Sequence, residues 1–244
     1  MRKSLLALPL PLLALAVACS SEAPAPEQTP SPAPTANAGP RTLVAAKLED
    51  LQLGAKIVGP QGPEVTTVIT ANDGTTMGQM VSYVACEPGE TEDGDPVPPT
   101  ETAECDPEAQ PDGAVYTYVH TIGLGRPDME APDSADVPET MVFRMIKPAA
   151  GFNNVIGFDA ALAAKTLGEK GEIKVQVEDN ALIWRVVAGD GWQDGENLTF
   201  FWQSTQPPAG PDEAYQLRID DTTALATGPF PASEEASTDE AAAN

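Results

Sequence analysis

Alternation with a period of two dominates the middle of this chain, and it restricts the fold more than any other feature. Within residues 114–122, Tyr116, Tyr118, His120 and Ile122 share one face, and Val115, Thr117, Val119 and Thr121 share the other. In Glu172–Glu178, Ile173, Val175 and Val177 alternate with Lys174, Gln176 and Glu178. Successive strand side chains point to opposite sides, so such a segment buries one face and wets the other. After Asp179-Asn180, a dipeptide suited to a tight hairpin turn, Leu182, Trp184, Val186 and Ala188 continue the pattern. Leu198, Phe200 and Trp202, then Tyr215, Leu217 and Ile219, mark two more strands. Weaker signals lie at 42–48, 64–70, 77–85 and 140–147. One helix is expected: Asp159 can cap it, Ala160–Leu167 are good helix formers, and Gly168 stands where it would stop. Roughly eight to ten short strands between Gly- and Pro-rich turns predict an all-β fold, mainly an antiparallel β-sandwich, with a β-barrel as the alternative.

The amino end carries a different message. Arg2 and Lys3 precede an apolar run over residues 5–18, and Ala16-Val17-Ala18 leads to Cys19. A charged start, a short apolar segment and a small-residue exit describe a secretory signal peptide rather than a membrane span. With the cysteine at the cut point, the motif resembles the lipobox of bacterial lipoproteins, whose cysteine is acylated and becomes the first residue. The leucine common three places before that cysteine stands one place earlier, at Leu15. The resemblance covers only the signal. It implies lipidation of Cys19, and Ser20 rather than aspartate after it implies passage to the outer membrane of a Gram-negative envelope, facing the periplasm or outward. Residues 20–40 follow with six prolines and almost no large apolar side chain. Such a tether is close to polyproline II and reaches roughly 60 Å at about 3.1 Å per residue. The expected organisation is a signal at 1–18, the lipidated tether at 19–40, one β-rich domain at 41–226, and a disordered acidic tail at 227–244.

Cleavage would remove two of the 13 Lys and Arg, leaving 11 against 37 Asp and Glu, a net charge of −26. A chain this acidic is repelled by nucleic acid and by anionic headgroups, so neither is expected as an electrostatic partner and membrane association is expected through the anchor. With Cys19 assigned to lipid, Cys86 and Cys105 remain as a pair. In an exported protein the pair predicts a disulfide, and two cysteines with one histidine fall short of a zinc set. The bridge would pin an acidic insert: residues 87–112 hold ten carboxylates and no basic residue. Mutual repulsion makes it a solvated loop. Glu90, Glu92, Asp93 and Asp95 are the candidate calcium ligands, although the alternating spacing of a calcium loop is absent.

Two further residues carry functional readings. Trp192 lies in a loop with Asp190, Gln193, Asp194 and Asn197, the composition of a carbohydrate-binding plate ringed by hydrogen-bonding groups. The competing reading is that Trp192 folds back to cap the sandwich. His120 is the only histidine and lies mid-strand, where a half-buried, hydrogen-bonded ring is expected before a catalytic base. The chain contains no phosphate-cradling loop and no nucleophile elbow. No catalytic residue is named and no cofactor is expected beyond calcium. The expectation is a non-catalytic envelope module binding a protein or polysaccharide, with a carboxylate-dependent polysaccharide hydrolase as the alternative.

Overall fold

The computed structural model describes residues 40–89, 104–125, 141–189, 192–193 and 195–232. The alternating segments form two sheets. The first runs, in spatial order, β1 (Arg41–Leu43), β10 (Glu172–Glu178), β11 (Ala181–Ala188), β8 (Met141–Met145), β13 (Pro208–Ile219) and β14 (Thr222–Pro231). All of its pairings are antiparallel. The second runs β2 (Ala46–Lys47), β9 (Phe152–Phe158), β12 (Asn197–Ser204), β7 (Tyr116–Leu124), β5 (Thr76–Cys86), β3 (Lys56–Ile57) and β6 (Glu104–Cys105), with β4 (Val65–Thr70) also laid along β5. Only β2 with β9 and β3 with β6 are parallel. The two sheets pack together as a sandwich and no barrel closes, so the barrel alternative is set aside.

The face of β7 carrying Tyr118 and His120 lies inward. Together with Met80, Phe200 and Trp202 it meets Phe143, Trp184, Tyr215 and Leu217 of the other sheet. Aromatic contacts bridge the layers: Phe143 lies 5.3 Å from Phe200 between centroids, and His120 lies 4.3 Å from Tyr215. Each such Phe, Tyr or Trp ring removes on the order of 150–250 Å² from water. The expected turn is present, since Asp179 and Asn180 have φ of 48° and 62°, the left-handed pair of a two-residue hairpin. So is the helix, α1 (Ala160–Leu167): Asp159 Oδ1 accepts the Leu162 N–H at 2.7 Å.

Two expectations are corrected. Strand β9 was not expected, because its alternation is broken. From Ile156 to Phe152 it uses two residues more than β12 does from Trp202 to Ser204, and Asn154 takes a φ of 73°. The domain also runs past residue 226. Thr227, Pro229 and Phe230 belong to β14, and Phe230 is buried. Proline suits that position because β14 is an edge strand, so its missing N–H leaves no ladder bond unmade.

One connection shapes the outside of the larger sheet. Strands β2 and β3 lie five steps apart in its order, about 24 Å at the usual strand spacing, and only residues 48–55 join them. This strap crosses the outer face. It runs over β12 and β7, whose outward Phe201 and Val119 are buried at 0% and 1% exposure. Glu49 ties it to the helix by accepting the Ala161 N–H at 2.6 Å.

Candidate functional site

A cleft of about 670 Å³ opens beside the strap, on the outer face of the larger sheet. Its floor is Thr117 of β7 and Gln203 of β12, which are paired across the ladder. Both point away from the core because their neighbours Tyr118 and Trp202 point into it. The Gln203 amide is held in place: its Nε2 donates to Thr117 Oγ1 at 3.1 Å, and its Oε1 accepts from Asn153 Nδ2 at 3.2 Å. One N–H and one acceptor lone pair remain on that amide, and the Thr117 hydroxyl can still donate. Asp50, Leu51 and Gln52 of the strap form one wall.

The facing walls descend from the cysteine pair. Cys86 and Cys105 form a disulfide with Cα atoms 6.2 Å apart, as expected of the two cysteines left once Cys19 is assigned to lipid. It ties the end of β5 to β6, so the chain departing as Glu87-Pro88-Gly89 and that returning past Gln110-Pro111 start from one fixed point. Backbone bonds fasten the rim: Glu87 N–H donates to Val115 O at 3.1 Å, and Gly54 N–H to Cys86 O at 2.9 Å. Gly54 allows this approach, since a Cβ there would lie 2.8 Å from the Cys86 and Glu87 carbonyl oxygens. The result is a cleft whose amides, hydroxyl and two carboxylates are set among Leu51, Pro88, Pro111, Ala114 and Val115. It offers hydrogen bonds to neutral or cationic groups and repels anions.

His120 is elsewhere, and sealed. It is fully buried rather than half-buried, with Nδ1 2.9 Å from Ser82 Oγ and Nε2 without a hydrogen-bond partner. Burial pushes its pKa down to about 3. A ring without solvent access cannot exchange protons with a substrate.

Trp192 is corrected as a carbohydrate plate. The ring is 1% exposed, packs edge-on to Phe200 at 6.0 Å, and its Nε1 donates to Glu196 O at 3.0 Å. No face is left for stacking, and the cap reading holds. Gln193 and Asn197 are exposed beside it. Gln193 N–H donates to the Glu196 carboxylate, and Asn197 O accepts from Thr166. Asp190 and Asp194 lie outside the described residues, as do Cys19 and the calcium candidates Glu90, Glu92, Asp93 and Asp95. Among the described residues no cluster of His, Cys, Asp or Glu could hold a metal ion.

Gln52, Thr117 and Gln203 escaped sequence reading because each is an ordinary polar residue. The only signal was that Thr117 and Gln203 occupy the outward phase of strands rich in aromatics. No family model, curated protein or solved structure matches this chain.

Proposed function

We propose that this chain is a lipid-anchored module of the bacterial cell envelope, without catalytic activity, whose cleft binds a polar neutral ligand such as a segment of envelope polysaccharide. The observation that carries the reading is the Asn153–Gln203–Thr117 chain of hydrogen bonds, which orients an amide toward open space on a rigid sheet. Few convergent polar groups on a preformed scaffold are what a binding site needs. The signal and Cys19 support the anchor. Calorimetric titration with soluble glycan fragments of the envelope tests the ligand: Gln203→Ala should weaken binding about tenfold or more, through loss of an oriented hydrogen-bonding group, in a protein that still melts cooperatively although it loses the bonds to Thr117 and Asn153. Equal binding by both proteins, or by neither, refutes the cleft. Fatty-acid labelling in cells, lost in Cys19→Ser, tests the anchor separately.

A second reading rests on Asp50 and Glu87, two carboxylates on opposite walls of the same cleft. Such a pair is the minimum for glycoside hydrolysis. Release of new reducing ends from those fragments, abolished by Asp50→Asn or Glu87→Gln, would establish it; no release leaves the binding module.

A further inference from the structure

The outer face of the six-stranded sheet gathers positive charge in a chain of net charge −24. Three of the five arginines beyond Cys19 lie there, on three adjacent strands. Arg185 of β11 and Arg218 of β13 both stand opposite Val142 of β8, and Arg144 is two residues further along β8. Their attachment points therefore fall within about 10 Å of one another. Lys174 of β10 stands opposite Arg185 and extends the row. The acids of the same face are Glu172, 3.7 Å from Lys174, and Glu178 on β10, and Glu213 further along β13, opposite Thr227.

None of the three guanidiniums makes an ion pair or hydrogen bond among the described residues, and the Nε atoms of Arg144 and Arg218 are buried without an acceptor. Buried donors are normally satisfied, and an arginine fork matches phosphate or carboxylate oxygens. Leu225 and Val187 are exposed on this face at 40% and 39%, while Val142 and Ile183, which stand among the arginines, are buried at 3% and 4%. The tether enters the domain through β1, the opposite edge strand of this same sheet.

The geometry points to a docking face for the membrane: the arginine-bearing side of the six-stranded sheet lies on phosphate-bearing lipid headgroups of the bilayer that holds Cys19. Charges more than about 8 Å away are screened at physiological ionic strength, so headgroups meet this face and not the acidic average of the chain. The tether keeps the domain within roughly 60 Å of the surface, which removes most of the association penalty. The inference uses the lipid-anchored reading only for the anchor.

The test supplies that anchor chemically. The chain from residue 19 is coupled through the Cys19 thiol to a maleimide lipid, Cys86 and Cys105 being held in their disulfide. Neutron reflectometry then measures the height of the protein layer on supported bilayers of phosphatidylcholine, with and without phosphatidylglycerol. The expected result is a layer against the headgroups of the anionic bilayer. It should move outward by about 20 Å or more, within the tether's reach, on pure phosphatidylcholine, in high salt, or in an Arg144→Gln, Arg185→Gln, Arg218→Gln variant. The corresponding Arg→Lys variant should stay down, which separates loss of charge from loss of folding. Equal heights for wild type and the Gln variant would overturn the proposal, whether the face serves an acidic protein or is neutralised by an acidic stretch of the chain. Absence of acylation on Cys19 in cells would refute the anchor and leave this measurement intact.

Discussion

His120 makes the stability of this domain depend on pH in a way that can be isolated. The imidazole sits between Tyr215 and Phe143, bonded on one side to Ser82, and its buried Nε2 has no hydrogen-bond partner that would stabilise a second proton on the ring. Its pKa is about 3 in the folded protein, against 6.5 for an unperturbed ring. Above pH 6.5 the ring is neutral in both folded and unfolded chains, and the group contributes no pH dependence. As the pH falls below 6.5 the unfolded chain takes up a proton that the folded one refuses, so stability is lost at about 1.4 kcal/mol per pH unit. The loss reaches about 3 kcal/mol near pH 4.5 and levels off at about 5 kcal/mol once the folded pKa is passed. Relief of repulsion among the 37 carboxylates works in the opposite direction over the same range, so the wild-type curve alone is not diagnostic. His120→Gln removes the titration while its amide can still bond Ser82. Urea unfolding followed by tryptophan fluorescence, at about pH 7.5 and about pH 4.5, gives the stability difference between the two proteins. That difference should move in favour of the variant by about 3 kcal/mol on acidification. Parallel pH profiles would refute the reasoning, because a ring that stays unprotonated inside must fall behind one that never titrates.

Three other perturbations have defined outcomes. Reducing the Cys86–Cys105 bridge, which closes a separation of 19 residues, should lower unfolding stability by about 3 kcal/mol, and the double alanine variant should match the reduced wild type in denaturant titrations. Trp192→Ala should lose about 3–5 kcal/mol by emptying a buried site against Phe200, while exposed Gln193→Ala should change stability by less than about 0.5 kcal/mol; comparable losses would contradict the cap. Gly157→Ala should destabilise by about 1–3 kcal/mol, because its Cβ would run into the Ala46 carbonyl in the β2–β9 pair and disturb the carbonyl that accepts the Trp184 indole N–H at 2.8 Å. Faster amide exchange at Ala46 and Lys47 in that variant would locate the damage at the root of the strap.

Features encoded over short distances were legible without coordinates. Alternation placed Tyr118, Phe200, Trp202 and Tyr215 inward, Asp179-Asn180 marked a turn, and Asp159 marked a helix start. Reading failed where a local rule was broken for a distant reason. The bulge at Asn154 hid β9, and the Gly-Pro-Phe-Pro run of β14 looked like a tail because its fit to an edge depends on its neighbour, β13. Trp192 kept two readings, carbohydrate plate and cap, because the ring that receives it, Phe200, lies outside its own loop.

The sequence by itself determined the class of fold, the inward face of each strongly alternating strand, the cysteine pairing and the expectation of an anchored domain. The first two follow from periodicity within the chain, and the anchor from the resemblance of its amino end to a lipobox, which in turn leaves the two cysteines as a pair. The tertiary structure alone decided which outward faces meet. The strap crosses the larger sheet because β2 and β3 pair at opposite sides of it, and so bounds a cleft over Gln203 and Thr117. Arginines from three strands separated in sequence converge because β11, β8 and β13 pair in that spatial order. A period of two says which side of a strand is wet, but only strand pairing says what stands beside it on that side.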